Sequence, residues 1–255
     1  MSTIRRTTAA LAFAFAAAAA TAPNASMAAP VKNIVLVHGF FADGSGWKGV
    51  ADILARDGFH VAVVQEPETS FDDDVKATTR ALDAMDGNSL LVGHSYGGAV
   101  ITEAGNHARA AGLVYVSAFQ PDVGESLQSL IKQMPPASNA IKATPDGYLY
   151  IDAALFRADF AADVPAAEAR FMALSQVMPA AALASAPVTQ AAWKTKPSWA
   201  IVSTADRTVN PDLQRGMAKR AGSKVTEIKG SHAAFVAHPA EVAKVIEQAA
   251  ATAGQ

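Results

Sequence analysis

The sequence predicts an α/β fold: a mostly parallel six-stranded sheet flanked by helices, with a helical insertion late in the chain. Three observations predict it. From Asn33 onward, short β-branched runs alternate with longer amphipathic ones, the rhythm of strand–helix–strand units. Several of the short runs are almost continuously apolar, as strands covered on both faces are. Between Val116 and Ala200 that rhythm stops, and only Ala-, Met- and Phe-bearing helical patterns with scattered Pro remain. A structureless loop of that length does not suit a compact domain, so residues 120–189 are expected to form a helical cap over one edge of the sheet.

The first segment stands apart. Arg5 and Arg6 precede the apolar run Ala9–Ala20, and small residues follow up to Ala29. That is the layout of a secretory signal peptide, expected to span residues 1–28 with cleavage after Ala28. The apolar run is too short to cross a bilayer, so no membrane anchor is expected. The predicted product is an exported protein, periplasmic or secreted, with one domain over residues 29–255. Within it the expected strands are Ile34–Val37, Val61–Val64, Leu90–Val92, Leu113–Val116, Ala200–Val202 and Lys224–Ile228. The expected helices are Trp47–Arg56, Asp72–Met85, Gly97–His107, Pro211–Ala221 and Pro239–Ala250. Pro211 and Pro239 suit the first turn of a helix, and Asn210 suits the cap before the former.

Bulk properties exclude several functions. The 255 residues carry a formal net charge of -2 and no Lys/Arg-rich run, which argues against a nucleic-acid or anionic-membrane partner. Cysteine is absent, which removes disulfides, thiolate metal sites and a cysteine nucleophile.

Three motifs carry chemistry. Gly93-His94-Ser95-Tyr96-Gly97 matches G-x-S-x-G, with a strand leading in and a helix leading out. A serine there occupies a sharp turn that presents Oγ at the strand end, while flanking glycines let backbone pass close by. The apolar run ending in Val37-His38-Gly39-Phe40-Phe41 leads through Asp43-Gly44-Ser45-Gly46 into a helix. In this arrangement Phe40 N–H and Tyr96 N–H are the expected donors of an oxyanion hole. Gly230-Ser231-His232 follows the last strand, and among six histidines His232 alone has the position of a general base. His38 and His94 lie inside the motifs, where packing or support duties are expected. Asp206 is the first carboxylate after the strand Ala200–Val202 and is the expected acid. Asp212, just inside the Pro211 helix, and Asp122, after the strand ending at Val116, are its rivals.

With these motifs in order, the chain from about Asn33 onward resembles the α/β-hydrolase superfamily, in particular the branch of small esterases, plant methylesterases and hydroxynitrile lyases. The resemblance implies Ser95, Asp206 and His232 as a catalytic triad, Phe40 and Tyr96 as the oxyanion hole, and no metal or organic cofactor. Two departures count against cyanohydrin chemistry. The lyases of this branch carry a lysine beside the catalytic histidine, where this chain has Ala233, and a threonine in place of Gly39. The expected function is therefore a serine carboxylesterase acting on a small-molecule ester. Lactonase, amidase and cofactor-free perhydrolase share the triad, and a ligand-binding protein with little turnover is the alternative of a different class. Phe41, Phe156 and Phe160 are candidate substrate contacts. Met134, Phe171, Met172 and Met178 could join them or simply pack the insertion, and Gln176 is left unassigned.

Overall fold

A computed structural model describes residues 30–253; the expected signal peptide lies outside the described residues. Six parallel strands form the main sheet: β1 (Asn33–Val37), β2 (His60–Val63), β3 (Ser89–His94), β4 (Ala110–Val116), β7 (Ser198–Ser203) and β8 (Lys224–Ile228). Their order across the sheet is β2-β1-β3-β4-β7-β8. The four central strands are buried almost throughout, which accounts for their unbroken apolar runs.

The winding direction places the helices. The chain steps from β1 outward to β2 and then travels the other way across the sheet, and right-handed crossovers put the helices of the two directions on opposite faces. Accordingly α1 (Lys48–Arg56) packs against α9 (Pro239–Thr252), whereas α2 (Phe71–Ala84) packs against α3 (Gly97–Ala104). α7 (Pro211–Ala221) packs along β7 and β8. The reversal leaves a crevice beyond the carboxyl ends of β1 and β3, where ligands bind in open sheets of this kind. Register brings those ends level, with Val37 opposite Gly93 and His94 opposite Val116.

Capping chemistry starts the helices where the sequence suggests. Asn210 accepts a hydrogen bond from Asp212 N–H before Pro211, and Ser70 accepts from Asp73 N–H at the head of α2. Several element bounds shift from expectation by one to three residues. The helix after Gly97 stops at Ala104, and the one expected from Trp47 begins as a 3-10 turn, Gly44–Trp47, before α1.

The segment between β4 and β7 holds α4 (Leu127–Gln133), α5 (Ala153–Asp159) and α6 (Ala166–Ser175), as a helical insertion should. It also holds a hairpin that the sequence reading did not expect, β5 (Ile141–Ala143) antiparallel to β6 (Leu149–Ile151). Strands this short show no readable alternation. Their signal was the turn Pro145-Asp146-Gly147, where Gly147 takes φ 89°. Gln176 is structural here: its side chain accepts from Ile151 N–H and donates to the Ile151 carbonyl, extending the hairpin edge.

Candidate active site

Each of the strands β1 to β4 is followed by a non-glycine residue in the left-handed region: Phe41 (φ 65°), Glu68 (φ 52°), Ser95 (φ 53°) and Ser117 (φ 48°). Each such residue costs about 1–3 kcal/mol, and strain of this kind concentrates at functional sites. Ser95 sits on the turn between β3 and α3, and its carbonyl accepts from Gly98 N–H at 3.0 Å and Phe119 N–H at 3.1 Å. In this chain the turn leaves no room for a Cβ at the glycines around it. A Cβ on Gly39 would lie 2.6 Å from the His94 carbonyl and 2.7 Å from Ser95 Cβ, and one on Gly97 would lie 2.3 Å from the His38 carbonyl. The β1 loop and the serine turn are therefore in direct backbone contact. Phe40 and Tyr96 stack at 4.1 Å between ring centres, and among the described residues neither of their N–H groups meets an acceptor.

His232 lies in the loop before the short helix α8 (Ala234–Ala237) and is wholly buried. Its Nδ1 is 2.7 Å from Asp206 Oδ2, and its Nε2 has no hydrogen-bond partner. Asp206 is fixed from four directions. Oδ1 accepts from Thr208 and Val209 N–H, each at 2.8 Å, and Oδ2 accepts from Gln214 Nε2 at 2.8 Å and from His232. The rivals are elsewhere: Asp212 pairs with Arg215, and Asp122 pairs with Lys194. His94, the neighbour of Ser95, links the two halves. Its Nε2–H donates to the His232 carbonyl at 3.0 Å, and the two rings lie 4.6 Å apart. Burial first, and then His232, hold His94 well below the ordinary histidine range.

The insertion reaches this site. Phe160 packs edge-on against His232 at 4.9 Å, with Phe156 behind it at 4.9 Å from the Phe160 ring. Phe41 is buried and lines a cleft of about 80 Å³ against Phe171 and Met172 of α6. Phe171, Met178 and Met134 are largely exposed. Asp163, which the sequence reading did not single out, grips the loop that carries His232. It accepts from Ser231 Oγ–H at 2.5 Å, Ser231 N–H at 2.9 Å and His238 Nε2 at 3.0 Å. Burial raises its carboxyl, but the hydrogen bonds, led by those from Ser231, outweigh burial and hold it below the ordinary range.

A second unforeseen feature lies behind the β1 loop. Glu66 and Glu68 are buried, and none of their four carboxylate oxygens has a hydrogen-bond partner. Burial, reinforced by Asp74 and then Glu68, pushes Glu66 well above the usual carboxylate range. Burial pushes Glu68 up to about 7 against the opposing pull of His38. His38, Glu66 and Glu68 present donor atoms within 4.8 Å of one another, a spacing a metal ion could bridge. The imidazole argues otherwise. Glu66 N–H donates to His38 Nε2 at 3.0 Å, so the nitrogen that faces the carboxylates, Nδ1, carries the hydrogen. A metal-ligating histidine normally donates from its other nitrogen, which this backbone contact forbids. The donor set fits shared protons better than a metal.

A family model described as "Alpha/beta hydrolase family" matches residues 34–245. A carbendazim-hydrolysing esterase from Nocardioides sp. (strain SG-4G) is 34% identical over 124 residues, which is 42% of this chain and 51% of that protein. The chain thus matches about half the length of that curated relative. Among solved structures, a pyrethroid hydrolase from Sphingobium faniae JZ-2 superposes with a TM-score of 0.74 at 21% identity, covering 86% of this chain and 97% of that one. An extracellular alpha/beta-hydrolase from Paenibacillus gives 0.70 at 20%, covering 86% and 98%, and a methylesterase from Arabidopsis gives 0.69 at 18%, with the same coverage. Sheet order, serine turn and family match agree, and the chain belongs to the alpha/beta hydrolase family.

Proposed function

We propose that the protein is a serine carboxylesterase acting on a small ester, with Ser95 as nucleophile, His232 as base and Asp206 as acid. One observation carries the reading: His232 is buried with Nδ1 locked on Asp206 and Nε2 left without a partner, beside the strained turn that holds Ser95. The lock on Nδ1 selects the tautomer whose Nε2 lone pair can take a proton. Ser95 Oγ attacks the ester carbonyl carbon while its proton passes to Nε2. The negative charge that develops on the carbonyl oxygen is met by Phe40 and Tyr96 N–H, preorganised and unspent. As the intermediate collapses, Nε2–H returns the proton to the departing alcohol. Water then deacylates the enzyme with His232 again as base.

We assign substrate contact to Phe41 and Phe160, with Phe156 supporting Phe160 from behind. Ser95 is 5% exposed and His232 not at all, and Phe160 of the insertion packs against the imidazole. The esterase and hydrolase names of the relatives support ester cleavage as the reaction. We also propose export through residues 1–28, which the mass of the chain recovered outside the cytoplasm tests.

The decisive experiment measures initial rates on p-nitrophenyl acetate through decanoate for the wild type, Ser95→Ala and Asp206→Asn. The expected rate peaks at one chain length, vanishes in Ser95→Ala, and falls about four orders of magnitude in Asp206→Asn. A rate independent of Ser95, or none on any ester, refutes the reading.

A further inference from the structure

Resting on the assignment of Phe40 and Tyr96 N–H as oxyanion donors, we propose that Asp74 is a positioning residue that ties both donors into one buried path of hydrogen bonds joined by the Glu66–Glu68 backbone. The chain runs from one donor to the other. Tyr96 donates its hydroxyl to Asp74 Oδ2 at 2.6 Å, which fixes the side chain of a residue whose own N–H is one donor. Asp74 Oδ1 accepts from Glu68 N–H at 2.8 Å. Two residues earlier, Glu66 N–H donates to His38 Nε2 at 3.0 Å. That bond leaves the hydrogen on Nδ1, which reaches the Gly39 carbonyl at 3.2 Å. The Gly39 carbonyl and the Phe40 N–H belong to one planar peptide unit, so holding the oxygen aims the hydrogen. The ends then close on each other through the Phe40–Tyr96 stack.

His38, Asp74 and Tyr96 are almost wholly inaccessible to solvent, and in that surrounding the bonds to a carboxylate are strong and mutually reinforcing. Asp74 comes from α2, outside every motif, and touches neither Ser95 nor His232 through any hydrogen bond. Its effect on the reaction therefore passes through the Tyr96 side chain and the Glu66–Glu68 backbone that it holds. Oxyanion donors act only if they are aligned before charge develops, so slack in this chain should reach the transition state more than the ground state.

The test compares kcat and KM on p-nitrophenyl butyrate for the wild type, Asp74→Ala, Asp74→Asn, Tyr96→Phe and Ser95→Ala, with thermal unfolding of each. Asp74→Ala and Tyr96→Phe should lower kcat by about tenfold with KM little changed, less than the loss of a whole donor costs. Asp74→Asn keeps an acceptor for Glu68 N–H and should recover most of the rate. If Asp74→Ala does not fold, Tyr96→Phe, which removes a single hydroxyl, decides the matter. A lowered melting temperature with wild-type kcat in Tyr96→Phe overturns the anchor while an inactive Ser95→Ala preserves the esterase. A wild-type rate in Ser95→Ala overturns the esterase, and the anchor falls with it.

Discussion

Replacing Glu68 by Gln removes an ionisation and keeps the shape. The Glu68 side chain is wholly inaccessible to solvent, and its nearest basic group is His38 Nδ1 at 3.5 Å, too long for a well-formed hydrogen bond. Burial, against the opposing pull of His38, pushes the carboxyl up to about 7 in the folded protein from 4.5 in the open chain. Between those values the unfolded chain has released a proton that the folded one still holds. Below pH 4.5 the group is neutral in both states and costs nothing. The penalty grows as pH rises and is complete above about 7, where at 1.36 kcal/mol per unit it reaches roughly 3 kcal/mol. Urea unfolding followed by tryptophan fluorescence at pH 4, 5.5, 7 and 8 gives the stability of both proteins. Glu68→Gln should match or fall slightly below the wild type at pH 4 and exceed it by about 2–3 kcal/mol at pH 8. A difference that does not vary with pH would show that Glu68 carries no displaced titration, and the account of the cluster as a proton holder would be wrong.

Two further substitutions test the architecture. Gly39→Ala places a methyl group 2.6 Å from the His94 carbonyl, between two backbones that cannot part without moving Ser95. It should destabilise the protein by about 3 kcal/mol, seen as a lower melting temperature, and abolish ester turnover. Asp163→Ala leaves Ser231 N–H and Oγ–H without their acceptor and frees the loop that carries His232. The expected cost is about 2 kcal/mol in urea unfolding, together with a fall in kcat on p-nitrophenyl esters.

The sheet was legible because its strands announce themselves locally. The bounds of Lys224–Ile228 and Pro211–Ala221 agree with the structure to the residue, one marked by its β-branched Val225, Thr226 and Ile228 and the other by Pro at its start and Gly222 at its end. The placement of Ser95, His232 and Asp206 was legible for a related reason: each follows a strand, and parallel strands deliver their carboxyl ends to one rim. Asp163 and Asp74 were not legible. Each acts across a tertiary contact, and in the sequence each is one more acid in a polar or helical stretch. Glu66 and Glu68 read as ordinary loop glutamates between a strand and a helix. Only the folded chain shows His38, after β1, and Asp74, on α2, brought against them. The hairpin at 141–151 was missed because its strands are shorter than the period that would reveal them.

The grip of Asp163 on Ser231 also bears on how such a protein could change its diet. Phe160 and Asp163 belong to the same stretch of the insertion: the carbonyl of the former accepts from Ala233 N–H, and the carboxylate of the latter accepts from Ser231 N–H. The wall that would select a substrate and the loop that carries His232 are thus one mechanical piece. A mutation that widens the wall for a bulkier acid or alcohol tugs on the imidazole as well. New specificity in this scaffold should then arrive with a slower turnover, and regaining speed should call for second changes at 230–238 rather than in the pocket itself.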